Sequence, residues 1–588
     1  MKLNPGTNMK TQLLRLTRVS TFAMLAASAS AADPYVDSWL TTYSGKYARI
    51  YTNNAMQASG TALATWSNGT QTQSSPAYAG VQAIYSSASW VYLQTSGMGQ
   101  HIMGPWSNGS FPNLPKNQNV LYRIPRAPVV HTTTNLTGLG AIGYFVDGVA
   151  MFDSRDGFVW IGSAESGNGT GYWNREAYAN EGATFDPGYA HQEQTGTHHY
   201  HANPIALRYL LSDHVDFNAT AKTYSESTNA VTKHSPILGW VRDGYPVYGP
   251  YGYASASNSA SGLRRMISGF VLRNGQKGSD NLTNTVRVSL PVWALRMYGT
   301  TQAGPTDTTT YPVSRYMEDY AYLGDLTNSL TGSNYQKGVD FDLDEYNGCW
   351  CYTPEFPGGT YAYFVSMSTN GTPVFPNNIG RAFYGNPTGS TTTIAETVTT
   401  NFLGGANLRE SLNAPSRSVN NVVLTWSAVE GGTYRVEAEN NLSVSNWVAF
   451  NTNTVSGTVT GTATETNGAN NSMRFYRVAR TALANYDGAI TGGGFVAPGG
   501  SVSRSNGTNI TITITLPANP PQPPANNVPI SVTLAGTIAG TSISRPSVGT
   551  VVASFAVPAN APTGAQNIVI VFNPAPTYTM TGAFTINP

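Results

Sequence analysis

Residues Ile142–Asp153 read IGYFVDGVAMFD and residues Leu238–Gly249 read LGWVRDGYPVYG. In both, Asp-Gly sits between alternating apolar residues, the strongest short-range signal for a β-hairpin, because both central turn positions want positive φ. The two stretches align Gly143 on Gly239, Tyr144 on Trp240, Asp147-Gly148 on Asp243-Gly244, and Phe152 on Tyr248. Two accounts fit: two hairpins obeying one turn grammar, or an internal duplication.

The rest of the chain extends the β reading. Among 588 residues there are 60 Gly, 35 Pro and 34 Tyr, and only 11% are charged, which describes short strands joined by many tight turns. A chain this long divides into several cores. The expected fold is mainly β: a large β-rich domain with few short helices, followed by two immunoglobulin-like β-sandwiches.

Residues 1–31 read as a secretory signal. Lys10, Arg15 and Arg18 precede the apolar run FAMLAASASA, and Ala29-Ser30-Ala31 supplies a small-x-small cleavage pattern. Removing that segment takes Lys2, Lys10, Arg15 and Arg18 from the 32 basic residues and leaves all 31 acidic ones, a net charge of −3. No basic field remains to hold a polyphosphate backbone, so nucleic acid is excluded as a partner. No other window approaches the roughly 18 apolar residues that span a bilayer. The expected location is therefore secreted, periplasmic or cell-surface, and the expected partner an extracellular ligand or polymer of unknown identity.

Residues 32–385 hold all eight histidines and most of the charge. Residues 386–412 lose aromatics and charge and read as a linker. Residues 413–482 alternate with period two as a small sandwich, 483–493 form a second linker, and 494–588 repeat the strand pattern with almost no charge.

The chemistry concentrates in HQEQTGTHHYHANPIALRYLL, His191 to Leu211, where four histidines fall within eleven positions. Read as a strand, THHYH turns His199 and His201 to one face and His198 and Tyr200 to the other. Asn203 as N-cap and Pro204 as first helical residue then open a buried helix over IALRYLL. A His-x-His pair supplies two ligands of a Zn or Cu site, and the remainder must come from elsewhere. His234 and Asp243 are the leading candidates, with His191 and His198 behind them. An inert polar cluster with Tyr200, Tyr248 and Tyr251, or metal-free acid/base chemistry, stays open beside the metal reading.

Asp340, Asp342 and Asp344 alternate in DFDLDEYNG, a crowding of oxygens that suits Ca²⁺, although Glu345 stands where an EF-hand loop needs Gly. A solvated acidic turn is the other reading. Cys349 and Cys351 give no disulfide framework; a labile bridge, a soft metal pair and two reduced hydrophobes are all compatible with the spacing. No G-x-S-x-G elbow or H-E-x-x-H helix occurs.

Taken together, GATFDPGYAHQEQTGTHHYHANPIALRYLL, HSPILGWVRDGYPVYGPYGY, LDEYNG, TPEFPGGTYAYFVSM and PVFPNNIGRAFYG resemble the YHYH-domain family of secreted bacterial proteins over about residues 33–385. The name-giving Tyr-His-Tyr-His falls on His198, His199, Tyr200 and His201, so histidine replaces the first tyrosine. The resemblance implies that His199, His201, His234, Asp243 and Asp344 share one domain; it implies no activity. Two functional expectations follow: a metal protein, hydrolytic or sequestering, and a non-catalytic surface protein that presents exposed aromatics to a carbohydrate or protein partner.

Overall fold

The computed structural model describes residues 33–40, 45–106, 113–167, 171–408, 410–442, 446–482, 489–491, 501–504, 508–516, 528–547, 549–573 and 577–587. The expected signal segment, residues 1–31, lies outside them. The chain is mainly β, as its composition leads one to expect, and no helix among the described residues is long and apolar enough to cross a membrane.

Both Asp-Gly stretches are hairpins. Strands β1 (Gly143–Phe145) and β2 (Ala150–Met151) flank one turn. They are followed in the chain by β3 (His191–Gln192) and β4 (His198–Tyr200). The second hairpin joins β5 (Ile237–Val241) to β6 (Pro246–Tyr248), and β7 (Gly348–Cys351) and β8 (Thr360–Phe364) come after. Gly148 and Gly244 hold φ of 83° and 91°, and a Cβ would come within 2.3 Å of Thr95 Oγ1 in one and 2.6 Å of the Pro125 carbonyl in the other. Only glycine fits either place.

These eight strands form one sheet in the order β3-β4-β2-β1-β5-β6-β8-β7, and that order is a palindrome. From the centre outward each half runs antiparallel, then parallel, then antiparallel. The halves meet where β1 pairs β5, with Tyr144 opposite Trp240, two residues that the sequence alignment had already matched. Turn grammar alone does not repeat four strands and two long crossovers, so the echo between the hairpins is one edge of a repeated four-strand unit. The registers fix its equivalences. Tyr200 pairs with Met151 as Tyr363 pairs with Val247, which places His198, His199, Tyr200 and His201 on Tyr361, Ala362, Tyr363 and Phe364. His191 opposes His199 as Cys349 opposes Ala362.

The sheet shares a core with a five-stranded antiparallel sheet, through Val81, Ile84, Leu93, Ile124, Phe145, Trp240, Val247 and Phe364 among others. Two strands of that second sheet, Ser390–Thr391 and Thr399–Leu403, come from the stretch expected to be a linker; they pair with Val120–Pro125 and Val81–Ser86. The low charge of 386–412 reflects edge strands rather than a free tether.

Residues 416–482 form two three-stranded sheets around Leu424, Trp426, Tyr434 and Val436. It is tied to the large domain through Glu430, which accepts from the Tyr47 amide at 2.9 Å and pairs with Arg49 at 2.5 Å. The C-terminal unit differs from a two-sheet sandwich. Its strands follow one continuous sheet, because Ile538–Ser547 pairs first with Val528–Leu534 and then, from Gly540 on, with Thr550–Val557, so the sheet turns over its own core. Of the linker expected at 483–493, Ala489–Thr491 pairs parallel with Thr577–Asn587, and the rest lies outside the described residues.

Large aromatics point inward: Trp173, Trp240, Trp293, Tyr200, Tyr248 and Tyr363 are fully buried, and among the described residues only Phe158, Tyr209 and Trp350 are exposed. The exposed aromatic face of the surface-protein reading is not supported by this distribution.

Candidate metal centre

Strand β4 does what period two requires. His199 and His201 leave it on the same face, and their Nε2 atoms lie 3.1 Å apart. The third ring comes from β3. Residues 191 and 199 face each other directly in the antiparallel β3–β4 pair, and this brings His191 alongside. The ligand atoms of His191, His199 and His201 all lie within 4.8 Å of one another, and the three residues are buried. Phe152 stacks on His199 with ring centroids 3.8 Å apart, and Phe185 meets His191 edge-on at 4.8 Å, so hydrocarbon fixes the rings from behind.

The other ring nitrogens decide the tautomers. His199 Nδ1 is 2.9 Å from the Thr197 carbonyl, and His201 Nδ1 is 2.7 Å from the Asp153 carbonyl. A carbonyl only accepts, so both Nδ1 atoms carry the hydrogen. His191 Nδ1 lies 2.9 Å from Thr184 Oγ1, whose own hydrogen goes to the Glu181 carbonyl at 2.6 Å. The hydroxyl is left as an acceptor, and His191 too is protonated at Nδ1. Burial holds all three imidazoles below their ordinary titration range, so they are neutral. Each neutral ring then turns its Nε2 toward the same space. Between His199 and His201 the separation of 3.1 Å is close to the edge of a tetrahedral zinc site, about 3.3 Å for metal–nitrogen bonds of 2.0–2.1 Å.

A carboxylate completes the ring of donors. Helix α1 (Ala177–Glu181) ends at Glu181, whose Oε2 lies 3.4 Å from His201 Nε2 and 3.7 Å from His191 Nε2. Its side chain is 26% exposed, at the rim of the site, and desolvation pushes its carboxyl up to about 7. Asp156, salt-bridged to Arg175 at 2.7 Å, stands nearby and is likewise raised to about 7, by burial first. The three histidines and Glu181 line an open cleft of about 880 Å³, with Tyr144 and Phe158 on its apolar wall.

Several expected ligands are elsewhere. His234 precedes β5, three strand spacings across the sheet from β4, roughly 14 Å. Its Nδ1 is 2.7 Å from the Ser235 carbonyl, and its ring packs against Tyr248 and Tyr253. Asp243 lies in the β5–β6 turn and accepts from Tyr363 Oη at 2.6 Å, the Gly385 amide at 2.9 Å and the Tyr245 amide at 3.1 Å. Membership of one domain made both candidates; sheet order separates them from the histidine pair. Asp340, Asp342 and Asp344 do not form one oxygen cage, because the segment turns instead of extending. Asp342 is bidentate to Arg264 at 2.6 Å, Asp344 accepts from Tyr361 Oη at 2.8 Å, and Asp340 caps the Gln336 amide at 2.8 Å. Cys349 and Cys351 are free and buried. Asn203 does not cap the following helix, α2 (Ile205–Leu210); its amide joins Arg208 and the Gly371 carbonyl instead. Glu181 and Thr184 went unremarked in the sequence, and nothing local marks them.

The match to known proteins falls on this region. Residues 121–377 fit the family model described as YHYH protein. This segment of the chain is a YHYH domain. The match begins in the second sheet and ends after β8, so it takes in both halves of the palindromic sheet and every residue of the histidine site. No curated protein matches the chain.

Proposed function

We propose that the YHYH domain is a divalent transition-metal protein in which His191, His199 and His201 hold zinc or copper through Nε2, with Glu181 facing the open side of the ion. The convergence of three buried imidazoles, with His199 and His201 Nε2 in direct contact, carries the reading. Two of them at 3.1 Å repel unless a cation sits between, and burial opposes a proton in that role. The repeat adds independent support. At the equivalent places of the other half the same topology holds Cys349, Ala362 and Phe364, so the fold does not require imidazoles there.

The chemistry that fits is metal-assisted hydrolysis. Three protein nitrogens leave a coordination position toward the cleft, as in catalytic rather than closed sites. A carboxyl with a pKa near 7 beside that position is suited to take a proton from a bound water. The signal-like pattern of residues 10–31 supports a place for this chemistry outside the cytoplasm.

Elemental analysis of the purified full chain tests the proposal. The His199→Ala/His201→Ala variant should carry one equivalent of zinc or copper fewer than the wild type, while Glu181→Gln keeps the metal and loses hydrolysis across a panel of chromogenic esters and phosphoesters. Equal metal content in wild type and double variant refutes the metal site. Metal loss in Glu181→Gln makes Glu181 a fourth ligand and turns the reading to sequestration.

A further inference from the structure

The opposite face of β4 carries a second convergence. His198 points there, and the ligand atoms of His198, His101 and Asp186 all lie within 4.8 Å of one another. All three residues are buried, and neither ring nitrogen of the fully buried His198 has a hydrogen-bond partner. His101 Nε2 has none either, and points toward Asp186 Oδ2 at 4.0 Å. The other nitrogen of His101 is accounted for. Its Nδ1 lies 3.3 Å from Tyr200 Oη, which donates to Asp147 Oδ2 at 3.5 Å. A hydroxyl committed to a carboxylate accepts from the imidazole, so His101 is protonated at Nδ1 and its lone pair faces Asp186.

The repeat supplies the comparison that gives this arrangement meaning. Asp186 folds back on the Ala190 and Gly188 amides as Asp344 folds back on the Gly348 and Tyr346 amides, with Tyr189 and Asn347 at the same positive φ of 69° and 67°. The two aspartates are equivalent, and so are His198 and Tyr361. In the second half Tyr361 donates to Asp344 at 2.8 Å and the pair is satisfied. In the first half the aromatic alcohol is replaced by an imidazole, and a second imidazole, His101, comes in beside it. A buried polar atom without a partner costs about 1–3 kcal/mol. Tyrosine at this position would avoid that cost, as Tyr361 does.

We propose that His101, His198 and Asp186 form a second divalent-metal site, two imidazoles and one carboxylate, closed to solvent and structural in role. It stands on the other face of the strand and does not depend on the proposed centre at His191, His199 and His201. The metal class follows from the donors: two borderline nitrogens and one oxygen suit zinc or another late first-row divalent ion.

His198→Phe is the discriminating substitution, because it keeps the aromatic volume and removes only the nitrogens. In the full chain the wild type should bind two equivalents of zinc, His198→Phe one, and His199→Ala/His201→Ala one. His198→Phe should also melt below the zinc-loaded wild type. If His198→Phe retains both equivalents, or is as stable as the wild type or more so, the second site is refuted and the first is untouched. If only the His199/His201 variant keeps its full metal content, the first site falls and this one stands. Should His198→Phe fail to fold, wild-type crystals measured at the zinc edge decide: an anomalous peak between His101, His198 and Asp186 supports the site, and a peak-free map there overturns it.

Discussion

Replacing His199 and His201 by what the other half carries, His199→Ala/His201→Phe, separates the needs of the fold from those of a metal. In metal-free protein the variant loses two hydrogen bonds, Nδ1 to the Thr197 and Asp153 carbonyls, about 1 kcal/mol each. It also loses packing where His199 lay on Phe152. Against this it removes two buried, mutually repelling Nε2 lone pairs, each an unsatisfied group of about 1–3 kcal/mol. The terms nearly offset, so the metal-free variant should unfold within about 2 kcal/mol of the wild type. Zinc breaks the parity. At a free concentration one hundred times Kd, binding to the native state alone adds about 2.7 kcal/mol. For a domain of this size that is a rise in Tm of about 4 °C. The measurement is calorimetry of EDTA-stripped full chain, with and without zinc, comparing the two shifts; a second metal site contributes to both and cancels. Equal shifts refute the metal site, and a variant that cannot fold without metal refutes the inference that the fold is indifferent to imidazoles at these positions.

Two further outcomes follow from residues outside the site. Asp243→Asn leaves one of the Tyr363 hydroxyl, the Gly385 amide and the Tyr245 amide without an acceptor in a fully buried place; it should cost about 2–3 kcal/mol in chemical denaturation and leave metal content unchanged, whereas loss of metal would put Asp243 back among the ligands. Glu318 is fully buried and desolvation raises its carboxyl to about 7, so the native state takes up a proton between roughly pH 4.3 and 7 that the unfolded chain does not, and its contribution falls as pH rises through that window. The stability of Glu318→Gln relative to wild type should therefore rise from pH 5 to 7, by at most about 1.4 kcal/mol per unit, and level off above; a flat difference contradicts it.

Local grammar made much of this legible. Asp-Gly between alternating apolar residues gave both hairpins, and the period of two put His199 and His201 together. His191 was within reach of the same reasoning, since residues 191 and 199 flank QEQTGTH, and a hairpin through Gly196 sets them opposite each other. His234 and Asp243 were misplaced because motif proximity says nothing of sheet order, and the palindromic order carries them across the central β1–β5 pair. Glu181 and Thr184 arrive from a short helix and the 3-10 turn after it, whose seat depends on Asn180 donating to the Arg315 carbonyl and Asn377 donating to Glu176, long-range information that no window of sequence holds. The strands at 390–403 were hidden for a related reason: edge strands rich in Thr and Asn have the composition of a tether until their partner is known.

The repeat turns one domain into its own control. In the half that ends at β8, positions facing the cleft side are Cys349, Ala362 and Phe364, and the tyrosines on the other face, Tyr361 and Tyr363, each donate to an aspartate, the half-buried Asp344 and the buried Asp243. That half shows what the architecture needs: hydrocarbon on one side of the strand, phenol–carboxylate pairs on the other. In the half that ends at β4 the aspartates and Tyr200 persist, while histidine occupies every remaining equivalent place, at 191, 198, 199 and 201. Burying four neutral imidazoles where Cys, Tyr, Ala and Phe suffice is unfavourable for packing alone, because His198 has no hydrogen-bond partner at either ring nitrogen and His199 and His201 turn Nε2 on each other. The asymmetry between two halves of the same strand order is thus a chemical one, and the proposed cation on each face of β4 would remove its cost.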